Sequence, residues 1–493
     1  MSAQRKPRVP FRDPAFDEPK VVDPILSVVT PGEGARNDPP VEKILKEIPA
    51  EVSAAGSPRA GLSALDVAKR TGPLGFFHLL GPGLITGASD DDPSGIGTYS
   101  QVGGQFGYGM LWTALFTFPL MAAVQEMCAR VALQTGVGLG VTLRRKFPTW
   151  LVGTAILALL VANTINIGAD LGAIAAGGSL LTHGAVKAIW LILPTAGLIL
   201  ALQFFAAYAT IFRIFKWLTI ALFAYVVTAF VAHPNILQVA RATVVPHLEF
   251  SAPFITALVA VLGTTISPYL FFWQASSEVD EMKAAGKVDE VDRRGVKHQE
   301  LKAARLDIFV GMLFSNLVMF FIILTSAAVL NAHGKTDIQT ADQAAAALAP
   351  FAGPFAFVLF AAGMIGAGLL AIPILSGSAT YALKEFLRLP GSLAAKPRYR
   401  PTFYAILAAA TIAGAAMNFM HIDPIKALFI TAVINGMVAP PLLILIVLLA
   451  SDRKIMRNRV SGALSRTMTW TATAAMSVAA LALVWTTWIS PAK

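Results

Sequence analysis

Runs of about 20 apolar residues, long enough for a helix to cross a hydrocarbon core of roughly 30 Å, recur along the chain from residue 76 onward. They fall near residues 77–104, 108–134, 150–180, 186–206, 211–232, 252–276, 307–331, 353–378, 403–420, 425–450 and 468–489, about eleven spans in all. The short alternating segments of a membrane barrel are absent. The pattern predicts an all-α polytopic membrane protein. Residues 1–75 are polar, Pro-rich and mixed in charge, and read as a disordered tail without the apolar stretch of a signal peptide.

Two of the spans are interrupted. The first breaks at Asp92-Pro93-Ser94-Gly95 and the sixth at Ser267-Pro268. A single proline in a membrane helix is most often a kink, because it removes one backbone donor and crowds the preceding turn. Two breaks five spans apart, at corresponding depths, fit an inverted 5+5 repeat with two discontinuous helices. Repeat one then covers about 76–235, repeat two about 250–450, and an additional helix about 466–489. Unwound backbone at membrane depth survives only where it lines a cavity or a site, so a ligand is expected at the two breaks.

Composition agrees with the membrane reading: 55% of residues are hydrophobic and 14% charged, against about 25% charged in soluble domains. The net charge of +10 does not point to nucleic acid, because the Lys and Arg lie in loops between spans. One set of loops holds Arg144, Arg145, Lys146, Arg213, Lys216, the stretch Lys384 to Arg400 and the run Arg453 to Arg466. The opposite set holds only Lys187, Arg241, Lys335 and Lys426. By the positive-inside rule the N-terminus is cytoplasmic, and an odd span count puts the C-terminus outside an inner (plasma) membrane. The charged segment from Glu278 to Asp307 reads as a solvated cytoplasmic helix or linker, most simply a plain connector. Cys128 lies alone within a span, so neither a disulfide framework nor a cysteine metal cluster is expected. His421 and the other histidines sit mostly at span ends or in loops and receive no role.

The first break carries three consecutive carboxylates, Asp90, Asp91 and Asp92. Each costs about 2.5–3.5 kcal/mol or more to bury in a bilayer, and no Lys or Arg lies in the first or sixth span to pair with them. Asp92 directly precedes the proline, near the start of the second half-helix, and is the candidate cation ligand. Asp90 and Asp91 are expected at the mouth of the cavity, in water, as vestibule charges that concentrate cations. The other donors at the breaks are the hydroxyls of Ser94, Thr264, Thr265 and Ser267 together with freed carbonyls, with no cysteine, histidine or methionine. All-oxygen sites suit Mg²⁺, Mn²⁺ and Ca²⁺ rather than softer ions. With one or two carboxylates, a hydrated Mg²⁺ fits best, since it sheds water reluctantly.

The segment GPGLITGASDDDPSG, Gly81 to Gly95, resembles the first-span motif of the Nramp divalent-metal transporters: GPG, eight residues, then DPGN. GADLGAIAAGGSLL is similar to that family's third span, GTTISPYLFFWQAS to its sixth, and DPIKALFITAVINGMVAPPLLIL to the approach to its tenth. The resemblance covers about residues 75–460. It implies a LeuT-type fold, makes 76–490 a transmembrane transport domain and puts the metal-binding aspartate on Asp92. The family's site asparagine falls on Gly95, its carbonyl donor on Thr264, its methionine on Ser267 and its sixth-span histidine on Tyr269. The tenth-span glutamine falls on Ala432. Along the third span the aspartate remains as Asp170, while two glutamates are replaced by Asn163 and Ala173. Asp170 reads either as a buried acid hydrogen-bonded to Asn166 or as a remnant proton or cation group. Loss of the thioether and of much of the proton route resembles the Nramp-related magnesium transporter branch, in which transport is not proton-coupled. Smaller residues at Gly95 and Ser267 are expected to enlarge the site.

The leading expectation is therefore a monomeric permease for Mg²⁺, and for Mn²⁺, working by alternating access in the lipid bilayer without a cofactor. A proton-coupled Mn²⁺/Fe²⁺ transporter of ordinary Nramp type is the alternative, followed by an organic solute carrier of the same fold. An enzyme is the weakest reading, because no nucleophile–base pair occurs in the spans.

Overall fold

The computed structural model describes residues 82–205, 221–287, 289–393, 397–420 and 423–489. The expected tail, Gly81 with the start of the first span, Arg213 and Lys216 in the fifth, and His421 lie outside the described residues. The helices of eight or more residues are numbered here in chain order. They are α1 (Pro82–Asp90), α2 (Pro93–Phe106), α3 (Trp112–Thr135), α4 (Leu139–Lys146), α5 (Thr149–Leu181), α6 (Ala188–Phe205), α7 (Phe223–Val231) and α8 (Ile236–Val244). They continue with α9 (Ala252–Thr265), α10 (Pro268–Ala284), α11 (His298–Val329), α12 (Ala356–Leu387), α13 (Pro401–Met417), α14 (Pro424–Ala450) and α15 (Ala463–Val484). Among the described residues there is no strand.

Each expected span meets a helix, or a pair of half-helices, at its place in the chain. Eight described spans are long and apolar enough to cross a membrane, nine if the bent pair formed by α2 and α3 counts as one. That pair turns through 107° across a short 3₁₀ segment starting at Gly107, whose φ of +56° is open to glycine at little cost.

The two breaks have the same local cause. Pro93 and Pro268 each occupy the first turn of a half-helix, where a missing N–H is not needed. The preceding residues, Asp92 (ψ 170°) and Ser267 (ψ 126°), are pushed out of the helical region. The half-helices then pack on continuous partners. Both α1 and α2 lie against α11, α9 lies against α14, and α5 runs through the bundle against α6, α12, α13 and α14. The tightest crossings bring backbones into direct contact. A Cβ on Gly87 would come within 2.2 Å of the Gly311 carbonyl oxygen, so only glycine lets α1 reach α11.

The segment from Glu278 to Asp307 takes the helical form of the two expected, rather than that of a plain connector. Helix α10 runs on to Ala284 and α11 begins at His298, and the stretch between them carries a further short helix, Glu290–Arg293. Hydropathy marks only the part of a helix that lipid surrounds, whereas Glu, Lys and Arg continue a helix readily beyond it. Polar contacts gather these extensions at the end that carries Arg144, Arg145 and Lys146. Asp280 accepts from Tyr381 (2.6 Å) and Ser392 (2.7 Å), and Glu385 accepts from Ser276 (2.9 Å) and from the Gly140 amide at the start of α4 (2.9 Å). Glu126 of α3 accepts from Arg130, from Arg305 of α11 at 2.8 Å and from Ser465 of α15 at 3.1 Å.

Glu290, between α10 and α11, ties this end together through Arg145 (3.0 Å) and Arg294 (2.5 Å). Burial alone would raise its pKa, but the hydrogen bonds from those two guanidinium groups outweigh it and hold the carboxyl below its ordinary 4.5. A depressed carboxylate contributes stability above its unfolded value and loses it as pH falls through the folded one. Glu290→Gln should therefore lower the thermal unfolding midpoint at pH 7. The gap to the parent protein should close as the pH drops below about 4; a gap unchanged across that range would contradict the assignment.

Candidate metal centre

Asp92 is the N-cap of α2 and stands where both breaks meet. Its Oδ1 accepts from the Gly95 amide at 2.8 Å and the Ser94 hydroxyl at 2.5 Å, and its Oδ2 from Asn166 Nδ2 at 3.1 Å and the Tyr269 hydroxyl at 3.3 Å. A carboxylate offers about four lone-pair positions; Gly95, Ser94 and Asn166 take three, and the single Tyr269 proton is shared between Asp92 and the nearer Ser89 carbonyl. Asp92 is 1% exposed. In this conformation the centre is closed to water, and a cation reaches Asp92 only by displacing some of these donors.

The partners come from three helices, α2, α5 and α10. Ser94 lies 3.4 Å from Thr264 at the end of α9, joining the first break to the sixth. The Tyr269 hydroxyl, on α10, also reaches the Ser89 carbonyl at 3.0 Å, a group left free where α1 ends. Asn166 of α5 donates to Asp92 and to Asp170 (3.2 Å), and receives Asn435 of α14 at 3.4 Å. The Ser267 hydroxyl turns back on the preceding half-helix, α9, to the carbonyls of Gly263 (3.1 Å) and Thr264 (2.7 Å). It satisfies carbonyls that the break has orphaned and keeps its lone pairs available.

The structure places Gly95 and Tyr269 on Asp92, Thr264 beside Ser94, Ser267 on Thr264, and Asp170 one step away through Asn166. It departs from the sequence reading on two points. Asp90 and Asp91 are not in water: they are 0% and 2% exposed, and the Ser315 hydroxyl of α11 lies 2.7 Å from Asp90 Oδ2 and 3.3 Å from Asp91 Oδ1. The vestibule reading fails because α11 packs across the end of α1 and seals it. Nor does Gly95 enlarge the centre, since the Tyr99 ring and the Thr264 hydroxyl close over it. Sequence reasoning missed Tyr99, Ser315 and the contact of Asn166 with Asp92. Of these only Asn166 left a signal, standing one turn before Asp170 on the same helix face.

Chemically this is an oxygen site. Among the described residues no three Asp, Glu, His or Cys side chains converge on one point. A cation at Asp92 would meet one carboxylate, the hydroxyls of Ser94, Thr264 and Ser267, carbonyls, and its own water.

The family profile described as natural resistance-associated macrophage protein-like, Nramp, matches residues 83–486. The chain belongs to the Nramp family. As a member it is a membrane transporter, not an enzyme. The divalent metal cation transporter MntH of Erwinia tasmaniensis is 26% identical over 339 residues, 67% of this chain and 78% of that relative. In solved structures, the manganese transporter of Eremococcus coleocola superposes with a TM-score of 0.63 at 16% identity, over 85% of this chain and 90% of that one. Mhp1, a nucleobase-cation-symport-1 family transporter in a closed conformation, gives 0.52 at 16% identity, over 83% and 92%. At that identity the likeness bears on the fold alone, which is the LeuT-type arrangement the Nramp resemblance implied.

Proposed function

We propose that this Nramp protein is a permease for hydrated divalent cations, Mg²⁺ and with it Mn²⁺, which it moves by alternating access without proton coupling. This would place it in the Nramp-related magnesium transporter branch. The supporting observation is the donor set at the two breaks: the Asp92 carboxylate, the hydroxyls of Ser94 and Thr264 and, bonded to Thr264, that of Ser267, with no cysteine, histidine or methionine in the sequence of either break. Such a set favours hard ions, and a single carboxylate suits one that keeps most of its water. Asp92 is the ligand in this reading. Thr264 and Ser267 lend oxygens, and Gly95 orients Asp92 through its amide. A membrane potential of about 100 mV gives about 2.3 kcal/mol per elementary charge, twice that for a dication, so inward movement needs no proton.

Repeats one and two, about 76–235 and 250–450, would rock against each other around the two breaks. The N-terminus faces the cytoplasm and the C-terminus the outside of an inner membrane, in keeping with the basic loops.

One observation favours the alternative, a proton-coupled Mn²⁺ transporter. Asp170 stays linked to Asp92 through Asn166, and the Erwinia relative is described as a divalent metal cation transporter and the Eremococcus protein as a manganese transporter. Uptake by proteoliposomes loaded with a pH-sensitive dye separates the two readings. We expect Mg²⁺ uptake driven by an inside-negative potential with no acidification of the lumen. Acidification in step with Mn²⁺ uptake, without Mg²⁺ transport, would favour the alternative.

A further inference from the structure

Gly95 removes a side chain from the centre, and the space has been taken up. A Cβ built on Gly95 would stand 3.2 Å from Cε2 of Tyr99 and 3.3 Å from the Thr264 hydroxyl. Cε2 is bonded to the ring carbon that bears the hydroxyl, so the polar end of the Tyr99 ring lies against Gly95. Four residues apart on α2, the two share a helix face. Tyr99 is 0% exposed, and its hydroxyl makes no hydrogen bond of ordinary length, with only the Thr264 hydroxyl alongside it as a weak neighbour. Buried hydroxyls are nearly always paired, and an exception at a functional centre needs a reason. If packing alone were needed, phenylalanine would fill the same space without that cost.

The neighbouring unpaired atoms share a character. Asp90 Oδ1 and Asp91 Oδ2 are also buried without partners, and Tyr99 lies within electrostatic reach of Asp90, Asp91 and Asp92. Both carboxylate oxygens are acceptors, and a phenol oxygen can accept as well as donate. Water bound to a dication points its hydrogens outward and needs acceptors of this kind.

We propose that Tyr99 is a specificity-determining residue: its hydroxyl holds a water of the bound cation, and its ring occupies the room that a side chain at residue 95 would need. This rests on the reading of the centre as a site for a hydrated dication. Mg²⁺, which dehydrates reluctantly, depends on such an outer contact more than Mn²⁺ does.

The test uses the full chain in proteoliposomes, with Mg²⁺ and Mn²⁺ uptake measured for the parent and for Tyr99→Phe. Removal of one outer-shell partner typically costs about 10–100-fold in metal affinity. The KM for Mg²⁺ should rise by about tenfold, with kcat held and the KM for Mn²⁺ moving by a few-fold at most. Retained Mn²⁺ uptake shows that the variant is folded. Equal changes for both metals, or no change in either, would overturn the role of Tyr99. A parent protein that takes up Mn²⁺ but no Mg²⁺ would overturn the underlying reading instead. In the same vesicles Gly95→Asn should lower uptake when Tyr99 is present and recover part of it on a Tyr99→Ala background; no recovery would refute the shared space.

Discussion

Asp92→Asn should reduce divalent-cation uptake to background while lowering thermal stability less than Asp92→Ala does. The amide oxygen keeps the cap, but its NH2 must face the Asn166 and Tyr269 donors. Asp92 has two jobs that this substitution separates. As the N-cap of α2 it accepts from the Gly95 amide, a function worth about 0.5–2 kcal/mol that asparagine performs nearly as well. As a buried carboxylate it is the only charge among the side chains that join the two breaks at Ser94, Thr264 and Tyr269. Asparagine keeps an oxygen for the cap and gives up the charge. The loss in affinity should exceed the roughly 10–100-fold typical of residues that only support a ligand. Asp92→Ala should lose uptake and the cap together, so its unfolding midpoint should fall further. Uptake by Asp92→Asn within a few-fold of the parent would remove Asp92 from the transport pathway.

Gly263→Ala should be among the most destabilising single changes in the bundle. A Cβ at Gly263 would lie 2.1 Å from the Ala432 carbonyl oxygen, 2.3 Å from the Gly436 nitrogen and 2.7 Å from its Cα. All three are backbone atoms of α14, which cannot rotate away as a side chain would. The contact is reciprocal, since a Cβ on Gly436 would come within 2.4 Å of the Val259 carbonyl oxygen. Overpacking of this kind costs about 1–3 kcal/mol, and more where the backbone must shift. Gly263 directly precedes Thr264, so moving α9 off α14 also pulls the Thr264 hydroxyl from Ser94, now 3.4 Å away. We expect a lower unfolding midpoint in detergent together with impaired uptake. A midpoint equal to that of the parent would show that α9 and α14 are not held as closely as described.

How far each feature was legible depended on the range of its cause. The breaks were legible because proline acts on its immediate neighbours: Pro93 and Pro268 set the conformations of Asp92 and Ser267 without help from the rest of the chain. The spans were legible because lipid selects apolar side chains over a fixed length. Their ends were not, and α10 and α11 run well past the apolar segment, since beyond the lipid neither lipid nor hydropathy marks where a helix stops.

The three aspartates illustrate the other case. They are identical in type and adjacent in sequence, yet Asp92 caps a helix between two breaks while Asp90 and Asp91 meet Ser315, more than two hundred residues away in the chain. Nothing local distinguishes a carboxylate facing a vestibule from one sealed beneath a crossing helix.

By itself, then, the sequence determined that this is an all-helical membrane protein of the Nramp family, where its helices break, and that the centre offers oxygen rather than sulfur. Those properties follow from composition, from proline geometry and from which side chains are present. Only the tertiary structure decided that Asp90 and Asp91 are buried, that Asn166 and Tyr269 complete the cap on Asp92, and that the room left at Gly95 went to Tyr99. Each of these depends on which helix packs against which, and that is settled by the close approach of distant backbones rather than by any neighbouring residue.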